Sequence, residues 1–160
     1  MCKIYYEGRW YGEKEVEENI MEYRAKISGL GIQPEEVTGL YLKRDAQMLF
    51  LIFALYDMGI AFLPLDIHVP KQRNDSIIRQ AEVTRVLADT ACDLDAEVVR
   101  VELLEHWTEE HITDSPVAYC IATSGTTGTP KIVQTGRRAF EFWMQDYAEF
   151  LKLKGAGSIL

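Results

Sequence analysis

Cysteine is scarce in this chain, and what there is does not pair up. Cys2, Cys92 and Cys120 are odd in number and far apart. A disulfide framework is therefore not expected, and reduced cytosolic thiols are. Positive charge is also short: 17 Lys and Arg face 25 Asp and Glu, a net charge of -8. That balance disfavours nucleic acid or an anionic membrane as a partner. Only three histidines occur. His106 and His111 are five apart, whereas a zincin helix needs histidines four apart with Glu directly after the first, so no metal site is expected. Residues 106–111 read as a solvated acidic connector, and His68 as a surface residue.

No basic-then-apolar leader opens the chain, since Lys3 runs into a polar, aromatic stretch. The expectation is a cytoplasmic protein. One long apolar run exists, residues 46–65, close to the roughly 20 residues that a membrane span needs. Asp57 lies inside it and would cost about 3 kcal/mol at the bilayer centre. A buried helix feeding a buried strand accounts for the run better. Internal repeats, low-complexity tracts and linkers are absent from the sequence. With 160 residues and 48% hydrophobic content, the chain suffices for one domain with a real core.

What is present alternates. Residues 4–6 and 9–11 around Glu7-Gly8 predict a small hairpin. Val16, Ile20, Tyr23, Ile27 and Leu30 recur at spacings of four and three, predicting an amphipathic helix over 12–28 that closes near Gly29 or Gly31. There follow a strand (37–42), a buried helix (45–57), a strand (60–65), a helix (71–81), and strands at 84–88 and 97–103. Two further strands, 117–122 and 132–135, flank a glycine-rich loop. A last helix (137–152) carries Phe140, Trp143, Met144, Tyr147, Phe150 and Leu151 on one face, a stripe that reads as core, except that in a truncated domain part of it is expected to lie exposed without its covering layer. Alternation of this kind implies an α/β fold, a mainly parallel sheet with helices on both faces.

The loop is the most specific feature. Thr123, Ser124, Gly125, Thr126, Thr127, Gly128 and Lys131 follow the apolar residues 117–121. Gly125 and Gly128 permit positive φ and leave no Cβ in a ligand's way. Hydroxyls and successive backbone N–H groups can donate to anionic oxygens, and Lys131 adds a point charge. A Walker A loop is excluded, because Gly128 and Lys131 are not adjacent and a strand follows. A Rossmann fingerprint fails on spacing and on the missing helix. A solvated Gly/Thr turn between strands is the bland alternative. Cys120 reads as a small core residue rather than a nucleophile.

Residues 123–131 resemble the signature phosphate loop of the adenylate-forming superfamily, which includes acyl-CoA synthetases and nonribosomal peptide synthetase adenylation domains. A second stretch agrees. Gly59, Ala61, Pro64, Leu65, Asp66, Pro70 and Arg73, with Phe62 where Tyr is usual, resemble a block of the amino-acid-activating branch. The sequence departs in having Ile132 where Gly usually follows the lysine, which would narrow access near the phosphates. It also has Arg137-Arg138 where many members carry His-Arg, which would remove a polar contact.

The resemblance implies that residues 1–160 are an N-terminal fragment of an AMP-binding adenylation domain, without the C-terminal subdomain. It implies an ATP- and Mg2+-dependent ligase that activates a carboxylic acid, an amino acid first of all, as acyl-adenylate with release of pyrophosphate. Lys131 would be catalytic, and Thr123, Ser124, Gly125, Thr126, Thr127, Gly128 and Lys131 would bind nucleotide. A carrier protein bearing phosphopantetheine would accept the acyl group. The 160-residue chain alone is expected to be inactive. The alternatives are part of an acyl-CoA ligase, or a non-catalytic half or truncated product that acts by joining a complementary chain. A homo-oligomer or hetero-complex is expected.

Overall fold

Residues 3–124 and 130–153 are described by the computed structural model, the side chains of 148–153 excepted. Strands β1 (Ile4–Tyr6) and β2 (Arg9–Tyr11) form an antiparallel hairpin. Its turn places Glu7 and Gly8 at φ 47° and 84°, a conformation Gly adopts without a Cβ clash. Helix α1 (Glu13–Ser28) follows, burying Val16 and Ile27. The predicted periodicity is what packs it: Ile20 and Tyr23 join the same cluster.

A six-stranded sheet forms the body, in the order β6-β5-β3-β4-β7-β8. Its strands are β3 (Val37–Tyr41), β4 (Ala61–Pro64), β5 (Arg85–Ala88), β6 (Glu97–Arg100), β7 (Val117–Thr123) and β8 (Lys131–Gly136). All neighbouring pairs are parallel except β7 with β8. Helix α2 (Ala46–Asp57) joins β3 to β4, α3 (Lys71–Gln80) joins β4 to β5, and α4 (Arg137–Leu153) follows β8. Asp45 caps α2 by accepting from the Met48 N–H at 3.1 Å, which satisfies one orphan donor of the first turn.

Strand alternation sends neighbouring residues to opposite faces. Leu40, Phe62 and Leu87 pack with Ile27 of α1 and Leu51, Ala54 and Leu55 of α2. Leu63, Val86 and Cys120 pack with Ile77 and Ile78 of α3. The sheet is therefore covered on both sides. The apolar run 46–65 divides between α2 and β4, and among the described residues no helix is long and apolar enough to cross a membrane. The two pieces meet at Gly59, φ 73°. A Cβ there would run into the Thr113 carbonyl oxygen.

Three expectations are refined. The strand expected at 97–103 ends at Arg100, and residues 101–103 form a 3-10 turn closed by Leu104 N–H donating to the Val101 carbonyl. Val101 is buried in the α1/α2 cluster, so the chain turns there to begin its crossover back to β7. Residues 106–110 of that crossover are exposed, as expected of a solvated connector, but the segment is also tied down. Trp107 N–H donates to Ala25 O, His111 N–H to the Ser28 hydroxyl, and the His111 Nε2 lies 2.8 Å from Ile32 O. Arg24 pairs with Glu110, so the segment is strapped along the end of α1. Finally, the aromatic stripe of α4 is not core. Phe140 alone reaches inward, edge-on to Tyr56 and Tyr119 at 5.6 and 5.5 Å, while Phe142, Trp143, Met144 and Tyr147 are exposed. Phe150 and Leu151 lie outside the residues whose side chains are described.

Candidate functional site at the carboxyl ends of the strands

Both motif-bearing stretches finish at one end of the sheet, where β3, β4 and β7 run parallel. Crevices at the carboxyl ends of parallel strands are where open α/β sheets bind ligands. Strand β7 delivers Thr123 and Ser124 to that end, and β8 carries Lys131 back. Thr123 and Lys131 are register partners. The Thr123 hydroxyl donates to the Lys131 carbonyl at 3.3 Å, which closes the base of the loop. Ser124 and Lys131 are exposed, and the Lys131 ammonium has no ion pair among the described residues. Gly125, Thr126, Thr127 and Gly128 lie outside the described residues. The structure thus brings Thr123, Ser124 and Lys131 together at a strand end.

Beneath the loop, Cys120 is fully buried, and burial pushes its thiol pKa up. A protonated, enclosed thiol is no nucleophile. Ile132 packs against the cluster around Cys120 and Leu63. The substitution for Gly is thereby accommodated by the core.

The second stretch builds the neighbouring wall. Phe62 stacks on Tyr119 at 6.0 Å. Asp66 accepts from His68 N–H at 2.9 Å, an Asx turn, and its carbonyl accepts from the Asn74 amide at 2.9 Å. These bonds set the turn from β4 into α3. Arg44 stands 3.7 Å from the Asp66 carboxylate, an exposed pair worth little by itself. Deeper in α3, Lys71 donates to the nearly buried Asp75 at 2.7 Å and holds its carboxyl below the usual range.

Arg137 has a place that sequence reasoning missed. Its backbone N–H donates to Pro116 O, Nε to Ser115 O and Nη1 to Tyr56 O, with the guanidinium 4.7 Å over the Tyr56 ring. Instead of losing a polar contact by replacing His, the chain gains a clamp that joins the base of the β7–β8 hairpin to the end of α2. All three acceptors are backbone carbonyls brought close only by folding, and carbonyls carry no sequence signal.

Among the described residues, no group of three or more His, Cys, Asp and Glu side chains is gathered to hold a metal ion. The donors present, an exposed hydroxyl at Ser124 and an unpaired ammonium at Lys131, suit a polyphosphate.

Comparison with known proteins identifies the family and the fold. Nonribosomal peptide synthetase sidE of Aspergillus fumigatus is 32% identical over 160 residues, 92% of this chain and 8% of that protein. Bacitracin synthase 2 of Bacillus licheniformis is 28% identical over 149 residues, 84% of this chain and 6% of its own length. The chain therefore spans under a tenth of these curated relatives. Among solved structures, O-succinylbenzoate coenzyme A synthetase (MenE) of Bacillus subtilis in complex with AMP superposes with TM-score 0.76 at 18% identity. That match covers 96% of this chain and 42% of the synthetase. The Klebsiella oxytoca NpsA N-terminal subdomain gives 0.70 at 17% identity, over 81% of this chain and 36% of the subdomain. The profile of the AMP-binding enzyme family matches residues 2–149, and the chain belongs to that family as the N-terminal portion of an adenylate-forming enzyme.

Proposed function

We propose that this chain is the phosphate-loop-bearing part of an ATP-dependent enzyme that activates a carboxylic acid, an amino acid by preference, as acyl-adenylate with release of pyrophosphate. The observation that carries the reading is the Lys131 ammonium, without an ion pair among the described residues. Lys131 stands opposite Thr123, the residue before Ser124, at the carboxyl end of β7. The peptide-synthetase relatives support the amino-acid preference, and a MenE complex with ATP and magnesium supports the nucleotide.

In this reading Lys131 binds the outer phosphates and offsets charge on the leaving pyrophosphate. Ser124, with the loop N–H groups of Gly125, Thr126, Thr127 and Gly128, would donate to phosphate oxygens. Thr123 keeps the two strands in register beneath them. Fixed donors aimed at developing charge lower the barrier because they need no reorganisation during reaction. Magnesium, when bound with ATP, neutralises phosphate charge. The acceptor of the acyl group would be a phosphopantetheine thiol on a carrier protein, and the compartment the cytoplasm.

The test is acid-dependent exchange of labelled pyrophosphate into ATP by the polypeptide that carries this chain, run across amino acids, aryl acids and fatty acids. An amino-acid-dependent signal that falls about a hundredfold or more in Lys131→Ala is expected. A signal with fatty acids alone would favour an acyl-CoA ligase instead.

One observation favours a second reading. Trp143 and Tyr147 stack at 5.2 Å on the exposed face of α4, and exposed apolar patches promote association. The chain would then act by joining a complementary polypeptide or a second copy. Light scattering coupled to size exclusion separates the cases, since a monomer at all concentrations would rule out self-association.

A further inference from the structure

Strand β7 carries one residue more than β8 at the base of their hairpin. Val117 is opposite Gly136 and Tyr119 is opposite Thr135, so three residues of β7 face two of β8. An extra residue of this kind is a β-bulge, which bends its strand and increases the local twist. Ala118, the extra residue, is fully buried. From Tyr119 onward the pairing is regular up to Thr123 opposite Lys131. Had the base register continued unchanged, Ala122 would stand opposite Lys131 and not opposite Ile132. Lys131 lies about 13 Å of strand beyond Thr135, so a change of about 10° in direction at the bulge displaces it by about 2 Å.

Different contacts hold the two registers. Above the bulge, Tyr119 is wedged between Phe62, stacked at 6.0 Å, and Phe140, edge-on at 5.5 Å. Cys120, Ala122 and Ile132 pack there with the α3 cluster. Below it, the Arg137 N–H donates to Pro116 O at 2.8 Å, Nε to Ser115 O at 3.1 Å and Nη1 to Tyr56 O at 3.1 Å. Its Nη2 is buried without a partner, a cost that the other bonds offset. The base of the hairpin is thereby tied to the end of α2 and kept out of the register of the tip. We propose that Arg137 is a positioning residue for Lys131. By pinning the base it preserves the bulge, and the bulge sets the direction in which β8 carries Lys131 to the strand end. The consequence for nucleotide rests on the reading of Lys131 as a phosphate ligand, whereas the bulge and its direction do not.

The experiment is nuclear magnetic resonance on the 160-residue chain and its Arg137→Ala variant. In the variant, the cross-strand contact of Val117 with Gly136 should give way to one of Ala118 with Gly136, while Tyr119 stays opposite Thr135. Residual dipolar couplings of the β7 and β8 amides should change relative to those of β3, β4 and β5. Arg137→Lys keeps the charge but lacks the planar fork, and it carries the same test should the Ala variant fold poorly. MgATP affinity should fall about tenfold in Arg137→Ala. It should fall no further when Arg137→Ala is added to Lys131→Ala, because a residue acting through Lys131 has nothing left to position; a merely structural role would make the two losses add. A bulge or hairpin direction that survives the loss of Arg137 overturns the proposal, and so do additive losses. A parent chain that binds no MgATP would fail the phosphate reading alone, and the couplings would still decide this one.

Discussion

In the 59–73 stretch, the groups that set the backbone are taken up by the fold. The Asp66 carboxylate and carbonyl hold the β4–α3 turn, and Gly59 makes room for the Thr113 carbonyl. In the 123–131 stretch, the Thr123 hydroxyl is taken up in the same way, but Ser124 stays exposed and the Lys131 ammonium stays unpaired among the described residues. Both stretches carry family motifs, yet they hold their residues for different reasons. The first is mainly architecture, set by Gly59 and Asp66, while the Arg73 guanidinium is left without an ion pair among the described residues. The second is a strand end fitted with donors that the fold itself does not need.

The strongest way to break this contrast is Gly59→Val. A β-branched residue at φ 73° is strained, and its Cβ meets backbone that cannot yield. The expected loss is about 3–5 kcal/mol, read by denaturant unfolding. A parent-like midpoint would remove the architectural reading of the first stretch. Asp66→Ala should cost about 1 kcal/mol by freeing the His68 N–H, seen in the same measurement.

Acidity sharpens the contrast further. Lys71 holds the Asp75 carboxyl below its ordinary value, so the folded carboxyl binds its proton less readily than the unfolded one. Its contribution is complete above the unfolded value, about 3.9, and fades as pH falls through the lower folded value. Unfolding midpoints at neutral and strongly acid pH should therefore converge more in Asp75→Asn than in the parent. The smallest effect on stability belongs to Lys131→Ala, within about 0.5 kcal/mol. A titration of MgATP should nonetheless show affinity reduced about tenfold. A destabilised Lys131→Ala chain would make the second stretch architectural as well.

Much of the fold was legible because its segments are strongly periodic. Val16, Ile20, Tyr23 and Ile27 mark α1, and the Asp57-Met58-Gly59 break divides the longest apolar run where the structure divides it. The 123–131 loop was legible as a motif, since Gly, Thr and Lys at that spacing have few other uses. Residues whose role depends on distant acceptors were not. Arg137 is an ordinary helix-start arginine until Tyr56 O and Ser115 O are folded against it. His111 gains its meaning only from Ile32 O. The α4 stripe was legible as an apolar face, partly uncovered as expected of a truncated domain, but amphipathic spacing says nothing of what stands opposite each residue.

Strand β7 lies beside β4 in space but follows it by on the order of fifty residues of chain. Closing a loop of that length costs about 3.5 kcal/mol of chain entropy. The β3–β4 pairing closes over a far shorter stretch, and β5–β6 over a shorter one still. Assembly is therefore expected to run from the middle of the sheet outward, with the β7–β8 hairpin arriving late, after the crossover has been strapped to α1. Substitutions along β7 should then speed unfolding and leave the folding rate almost untouched. Strands β7 and β8 would be the last part of the sheet to form and the first to let go.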